Sequence, residues 1–144
     1  LSVFDDHSFD LIFHPVSNCF IDDVNPVWGE CYRVLRPGGS LLAGFCNPVM
    51  YMFDFKEWDN NKRLVVRYSI PYADTEQLPK DELQERLEAE ETLEFGHTLE
   101  DQIGGQLRAG FLLKDFFEDV SINDLLDPHI PTFGATWAIK PDVR

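Results

Sequence analysis

The chain has 144 residues, 44% of them hydrophobic, which is enough for one domain with its own core. Its formal net charge is −14, from 26 Asp and Glu against 12 Lys and Arg. That balance argues against nucleic acid and against an anionic membrane surface, both of which need a cationic face, and it favours a small-molecule substrate. No apolar run approaches the length of a membrane span.

The first predicted element is a strand centred on Leu11 to Phe13, ended by Pro15, which has no N–H to offer. Ser17 to Asp23 reads as a loop. Asn25-Pro26 starts a helix, with a capping side chain followed by a proline suited to the first turn. Val27, Cys31, Val34 and Leu35 share one face of that helix, flanked by Trp28 and Tyr32. Pro37-Gly38-Gly39 stops the helix and turns the chain into a second strand, Leu41 to Phe45. Both strands are apolar on both faces, as in a parallel sheet covered by helices. A right-handed crossover joins such strands. Ligands of open sheets of this kind sit beyond the carboxyl ends of the strands, which singles out His14 to Asn18 and Cys46 to Tyr51.

Asn47-Pro48 breaks the second strand. A β-rich run follows at Leu64 to Ile70, then a helix candidate at Lys80 to Thr92 and a short strand within Thr92 to Gly96. Thr98-Leu99-Glu100-Asp101 resembles a capping box, and Leu99, Ile103 and Leu107 form the apolar stripe of the next helix. Gly110 is placed to end it. Leu112 to Val120 and Phe133 to Ile139 are the last two strands, separated by the loop Asp127 to Pro131. Cys19, Cys31 and Cys46 show no disulfide or zinc spacing. Each is expected as a buried free thiol, in keeping with a cytoplasmic location.

Two segments together carry a family resemblance: Ser8-Phe9-Asp10-Leu11-Ile12, and Glu30-Cys31-Tyr32-Arg33-Val34-Leu35-Arg36-Pro37-Gly38-Gly39. In order and spacing they resemble the central part of a class I S-adenosylmethionine-dependent methyltransferase, of the type 11 kind. The resemblance implies an α/β fold: a partial doubly wound, Rossmann-like sheet holding the family's strands 4 to 7 with an antiparallel end. The family's glycine-rich loop and the acidic residue that holds the cofactor ribose have no counterpart in these residues. On that reading three βα units are lacking, roughly 100 residues at about 30 each. Residues 1–144 then form a single domain, the C-terminal part of the fold, with residues 51–95 an inserted, substrate-facing lid.

The implied activity is S-adenosylmethionine-dependent methyl transfer to a small molecule, with this chain a fragment inactive alone. Methyl transfer is an in-line displacement that needs alignment and at times a base, but no metal and no covalent nucleophile. The resemblance puts the cofactor against His14, Pro15, Val16 and Ser17. His14 is also a candidate base, with a plain strand-end histidine as the alternative. His97 is a second candidate base that would reach in from the lid side. Asn47, Tyr51 and Phe53 are candidate substrate contacts, against the ordinary roles of turn residue and core aromatics. Two rival readings remain. One is a non-catalytic interaction module, a homodimer joined through the unpaired edge of the first strand. The other is a fragment of a nucleotide-binding oxidoreductase.

Overall fold

The computed structural model describes residues 1–122 and 124–142. Strand β1 (Phe9–His14) runs into a single 3-10 turn, Asn18–Phe20, and then into helix α1 (Asn25–Val34). Pro26 sits in the first turn of α1. Asn25 does not cap the helix: its amide donates to Asp23 Oδ1 (3.1 Å) and its oxygen accepts from Arg108 (3.1 Å). Trp28, Cys31 and Val34 are the buried residues of α1, so Trp28 is the centre of its apolar face. The helix ends where Leu35 enters strand β2 (Leu35–Cys46). Lys140 closes that end, its ammonium donating to the carbonyls of Tyr32 (2.7 Å) and Leu35 (2.8 Å).

β2 pairs in parallel with β1, with Ile12 opposite Leu41 and His14 opposite Ala43. The expected run Leu64 to Ile70 is not a strand. It touches the fold's β structure through one bridge, Val66 opposite Phe53, and the N–H groups of Arg67 and Tyr68 both donate to the Met52 carbonyl. With only one bridge to pair into, β propensity alone does not make a ladder.

The segment 51–95 builds its own small core. It contains α2 (Phe55–Asn61), β3 (Tyr72–Ala73), α3 (Asp74–Gln77), α4 (Lys80–Glu88) and β4 (Phe95–Gly96), with β3 antiparallel to β4. Tyr51, Tyr68, Tyr72, Leu78 and Cys19 are its buried members. Asp54 caps α2 by accepting from Glu57 N (3.0 Å), and its other oxygen accepts from Arg67 at 2.6 Å. These two partners hold its carboxyl below the ordinary value of 3.8. Asp54→Ala should cost about 1–2 kcal/mol of stability in urea unfolding at pH 7. The folded-state pKa is depressed, so this stability is present above pH 3.8 and is lost as pH falls through the folded value. The gap between wild type and variant should therefore close in acid.

The chain then enters a π-helical turn, Glu100–Gly104, continued by α5 (Gly105–Ala109), which ends at Gly110 with φ +107°. Thr98 caps the start as expected, accepting from Asp101 N at 3.0 Å while its hydroxyl donates to the Asp101 carboxylate at 2.7 Å. The expected stripe does not face the core. Leu99 and Leu107 are about half exposed, and Gln102 and Gln106 are buried instead. The π turn adds a residue and shifts the helix phase. The buried amides are satisfied: Gln106 Oε1 accepts from Thr136 (2.9 Å) and its Nε2 donates to the Gln102 carbonyl (2.9 Å).

Strands β5 (Leu112–Asp119) and β6 (Phe133–Ile139) complete a four-stranded sheet of order β1-β2-β6-β5, with β6 antiparallel to both neighbours. Helices α1 and α5 cover one face, around Trp28, Leu41, Ala43, Phe111 and Ala138. The other face is open. Leu11 (55%), Phe13 (73%), Leu112 (60%) and Phe117 (60%) lie exposed there, although β1 reads as a strand buried on both sides.

Candidate functional site

The carboxyl ends of β1 and β2 lie side by side, and the loop after β1 is tied down at Asn18. The Asn18 side chain is buried, its Nδ2 donating to Gln102 Oε1 at 2.8 Å. Its Oδ1 therefore faces His14 Nε2 at 2.6 Å, and with the amide oriented this way Nε2 carries the proton. That leaves Nδ1 of His14 as the imidazole's free acceptor. Ser17 Oγ is 3.5 Å from the same Nε2. The His14 ring also meets Trp28 edge-on, with centroids 5.8 Å apart. His97, just after the 51–95 segment, bonds the Asn18 carbonyl through Nε2 at 3.0 Å. The two sequence-predicted histidines thus converge on Asn18, the last residue of the segment His14 to Asn18 that the sequence singles out, to which it assigns no role of its own.

Pro15 and Val16 are exposed on the same loop. Val16 lies over Gly44 of β2, where an added Cβ would come within 3.2 Å of Val16 Cγ2. Asn47 is engaged structurally: its oxygen accepts from Val49 N (3.2 Å) and its amide donates to the Pro131 carbonyl (3.0 Å). Phe53 is buried, edge-on to Trp58 at 5.7 Å. Tyr51 is buried and stacked on Tyr72, with centroids 5.6 Å apart. It lines a cavity of about 190 Å³ together with Met50, Phe55, Trp58, Asp59, Glu94 and Asp124. Trp58 and Glu94 carry no motif. Their only sequence signal is a lone acid inside the short strand before Gly96.

Cys19 and Cys46, remote in sequence, meet behind Tyr51. With Cys46 beside it, the Cys19 thiol is held below its ordinary value, while Cys46, buried against Cys19, is pushed up. Cys31, away from any such partner, is raised to about 11 by burial. All three are free thiols. Burial also raises Glu94 above the ordinary carboxylate range. Among the described residues, no group of three or more His, Cys, Asp or Glu is arranged to hold a metal, and no helix is long and apolar enough to cross a membrane.

Comparison with known proteins agrees with this layout. Residues 1–43 match the family model described as a methyltransferase domain. Over 140 residues the chain is 51% identical to the uncharacterized methyltransferase YbaJ of Bacillus subtilis (strain 168). That alignment takes in 97% of this chain and 54% of the relative, so the chain spans about half the length of the curated protein it matches. The fold is shared with an S-adenosylmethionine-dependent methyltransferase from Mesorhizobium loti, at TM-score 0.65 and 18% identity over 94% of this chain and 64% of that one. A Listeria monocytogenes counterpart, described as a putative S-adenosylmethionine-dependent methyltransferase, gives 0.66 and 15% over 96% and 64%. Along almost its whole length the chain is thus similar to about half of an uncharacterized methyltransferase, and its sheet has the fold of the S-adenosylmethionine-dependent methyltransferases.

Proposed function

We propose that the chain supplies the acceptor side of a methyltransferase acting on a small molecule, and that these residues alone do not hold the cofactor. The observation that carries this reading is the tie at Asn18. It joins the loop after β1, which the family resemblance puts against the cofactor, to His97 at the end of the 51–95 segment. The residues present fit one wall of a cofactor site: exposed Pro15 and Val16 on the loop, with Val16 seated over the glycine at position 44. Bound S-adenosylmethionine supplies a methyl on a sulfonium: the acceptor's lone pair bonds to that carbon, the S–C bond breaks, sulfur keeps the electron pair, and the acceptor's proton passes to a base. His14 is the proposed base, acting through Nδ1, with Asn18 setting its tautomer. Residues 51–95 act as the lid, with Tyr51 against the substrate. Three free thiols suit a cytoplasmic setting.

The test is calorimetric titration of S-adenosylmethionine into two proteins. One is this chain, and the other is the full-length Bacillus relative carrying this chain in place of its matching segment. Binding is expected for the chimera and not for the chain; tight one-to-one binding by the chain, or none by the chimera, would overturn the reading. A second reading, an interaction module, is favoured by one observation: Leu11 and Phe13 are exposed on an edge strand. It requires a homodimer through β1, which sedimentation would detect.

A further inference from the structure

The cavity beside Tyr51 has an unusual lining. Three aromatic residues, Tyr51, Phe55 and Trp58, and three carboxylates, Glu94, Asp59 and Asp124, surround about 190 Å³. No Lys or Arg is among its lining residues. Its volume is below the roughly 300–1,000 Å³ of pockets for drug-sized ligands, so it suits a small head group.

Apolar rings with carboxylates behind them are the chemistry of a site for a positively charged, alkylated nitrogen. The negative face of each ring attracts the cation, and the cation's methyl groups lose little by leaving water. Glu94 is the central acid. It is half-buried, and among the described residues no Lys or Arg lies within ion-pair distance of it. The nearby cations are committed elsewhere. Arg86 pairs with Asp74 at 3.2 Å, and Lys56 lies 3.6 and 3.7 Å from Glu82 and Glu85. Arg86 also shows that this cluster accepts a cation, since its guanidinium sits 5.7 Å from the Phe55 ring centroid. Glu94 has a hydrogen bond from Tyr51 but no ion-pair partner among the described residues, and a bound cation would offset the cost of its partial burial. Burial has already raised Glu94.

We propose that this cavity binds a small alkylammonium group, and that the methyl acceptor is therefore an amine, bound as its ammonium form and giving up one N–H proton to a base before its lone pair attacks the methyl carbon. The second clause rests on the methyltransferase reading; the first does not. The cavity opens off the residues that follow β2, with Met50 and Tyr51 in its wall, on the side of the sheet where that reading puts the acceptor. The overall charge of −14 would draw such a ligand from solution.

The test is an NMR titration of the chain, free of cofactor, with choline as the probe. Its uncharged carbon isostere, 3,3-dimethylbutan-1-ol, is titrated in parallel. Choline should shift the Trp58 indole signal saturably, and the isostere should bind at least about tenfold more weakly, because only the charge differs. Glu94→Gln, which keeps the shape, should weaken choline by about tenfold; Trp58→Leu should do the same while leaving the spectrum dispersed. Equal affinity for the two probes, or no saturable shift in a well-dispersed spectrum, overturns the proposal. Choline binding by a chain whose chimera fails to bind S-adenosylmethionine would keep the cation site and remove the methyl-transfer reading. The converse result would remove the cation site alone.

Discussion

Trp28→Ala is expected to remove about 3–5 kcal/mol of stability, enough to leave much of a marginal domain unfolded. Trp28 is fully buried at the centre of the face that α1 turns to the sheet. Gly105 of α5 packs directly on it: a Cβ there would lie 2.5 Å from Trp28 Cδ1. Two backbones held that close cannot collapse into the space an indole leaves, so the cavity term is felt in full. The ring nitrogen also donates to the Asp101 carbonyl at 2.9 Å, within the π turn that carries Gln102. Trp28→Phe should keep most of the buried area and lose the bond. It should cost less overall but loosen Gln102, and with it the grip on Asn18. Urea unfolding measures the first effect, and amide exchange at Asn18 the second. A loss below about 1 kcal/mol for the alanine variant would mean the core does not depend on this ring.

Arg86→Met should cost about 3 kcal/mol. Asp74 is fully buried and accepts from Tyr72 Oη (2.7 Å), Arg86 (3.2 Å) and the Glu94 N–H (2.9 Å). Removing the guanidinium leaves a buried carboxylate with only neutral donors, a larger penalty than the pair itself was worth. The figure sits at the low end of the usual range because the Arg86 side chain is 23% exposed. Adding Asp74→Asn removes the stranded charge and should restore at least half of the loss in the double variant. If the double variant is no more stable than Arg86→Met alone, the damage comes from lost packing over Phe55 instead. The same carboxylate anchors the backbone of Glu94, so either single variant should also blunt choline binding.

Much of the sheet was legible because its strands end at residues with few options. Pro15 ends β1, and Gly110, in the left-handed region, separates α5 from β5. The apolar runs at Leu41 to Phe45 and Phe133 to Ile139 needed no further context. Regular α spacing turns Leu99, Ile103 and Leu107 inward, whereas the π turn brings in Gln102 and Gln106, amides that only distant partners, Asn18 and Thr136, can satisfy. His14 was legible from its place at the end of a strand. Asn18 and Gln102, which orient it, stand 84 positions apart and leave no local pattern. The cavity acids were hidden for a different reason. Glu94 follows the exposed Glu88, Glu90 and Glu91 at and after the end of α4 and differs from them only in being half-buried.

The two borders of the sheet are unlike. β5 presents Lys114, Asp115, Glu118 and Asp119 along a fully exposed strand, and such charges repel a second strand. β1 offers Leu11 and Phe13, with Asp10 as the acid among its six residues. One end of the sheet is therefore blunt and the other adhesive. Strand addition is thus favoured at β1 over β5, and two copies joined at β1 would turn their charged β5 borders outward. A pair of that kind is closed, with the same edge used by both partners.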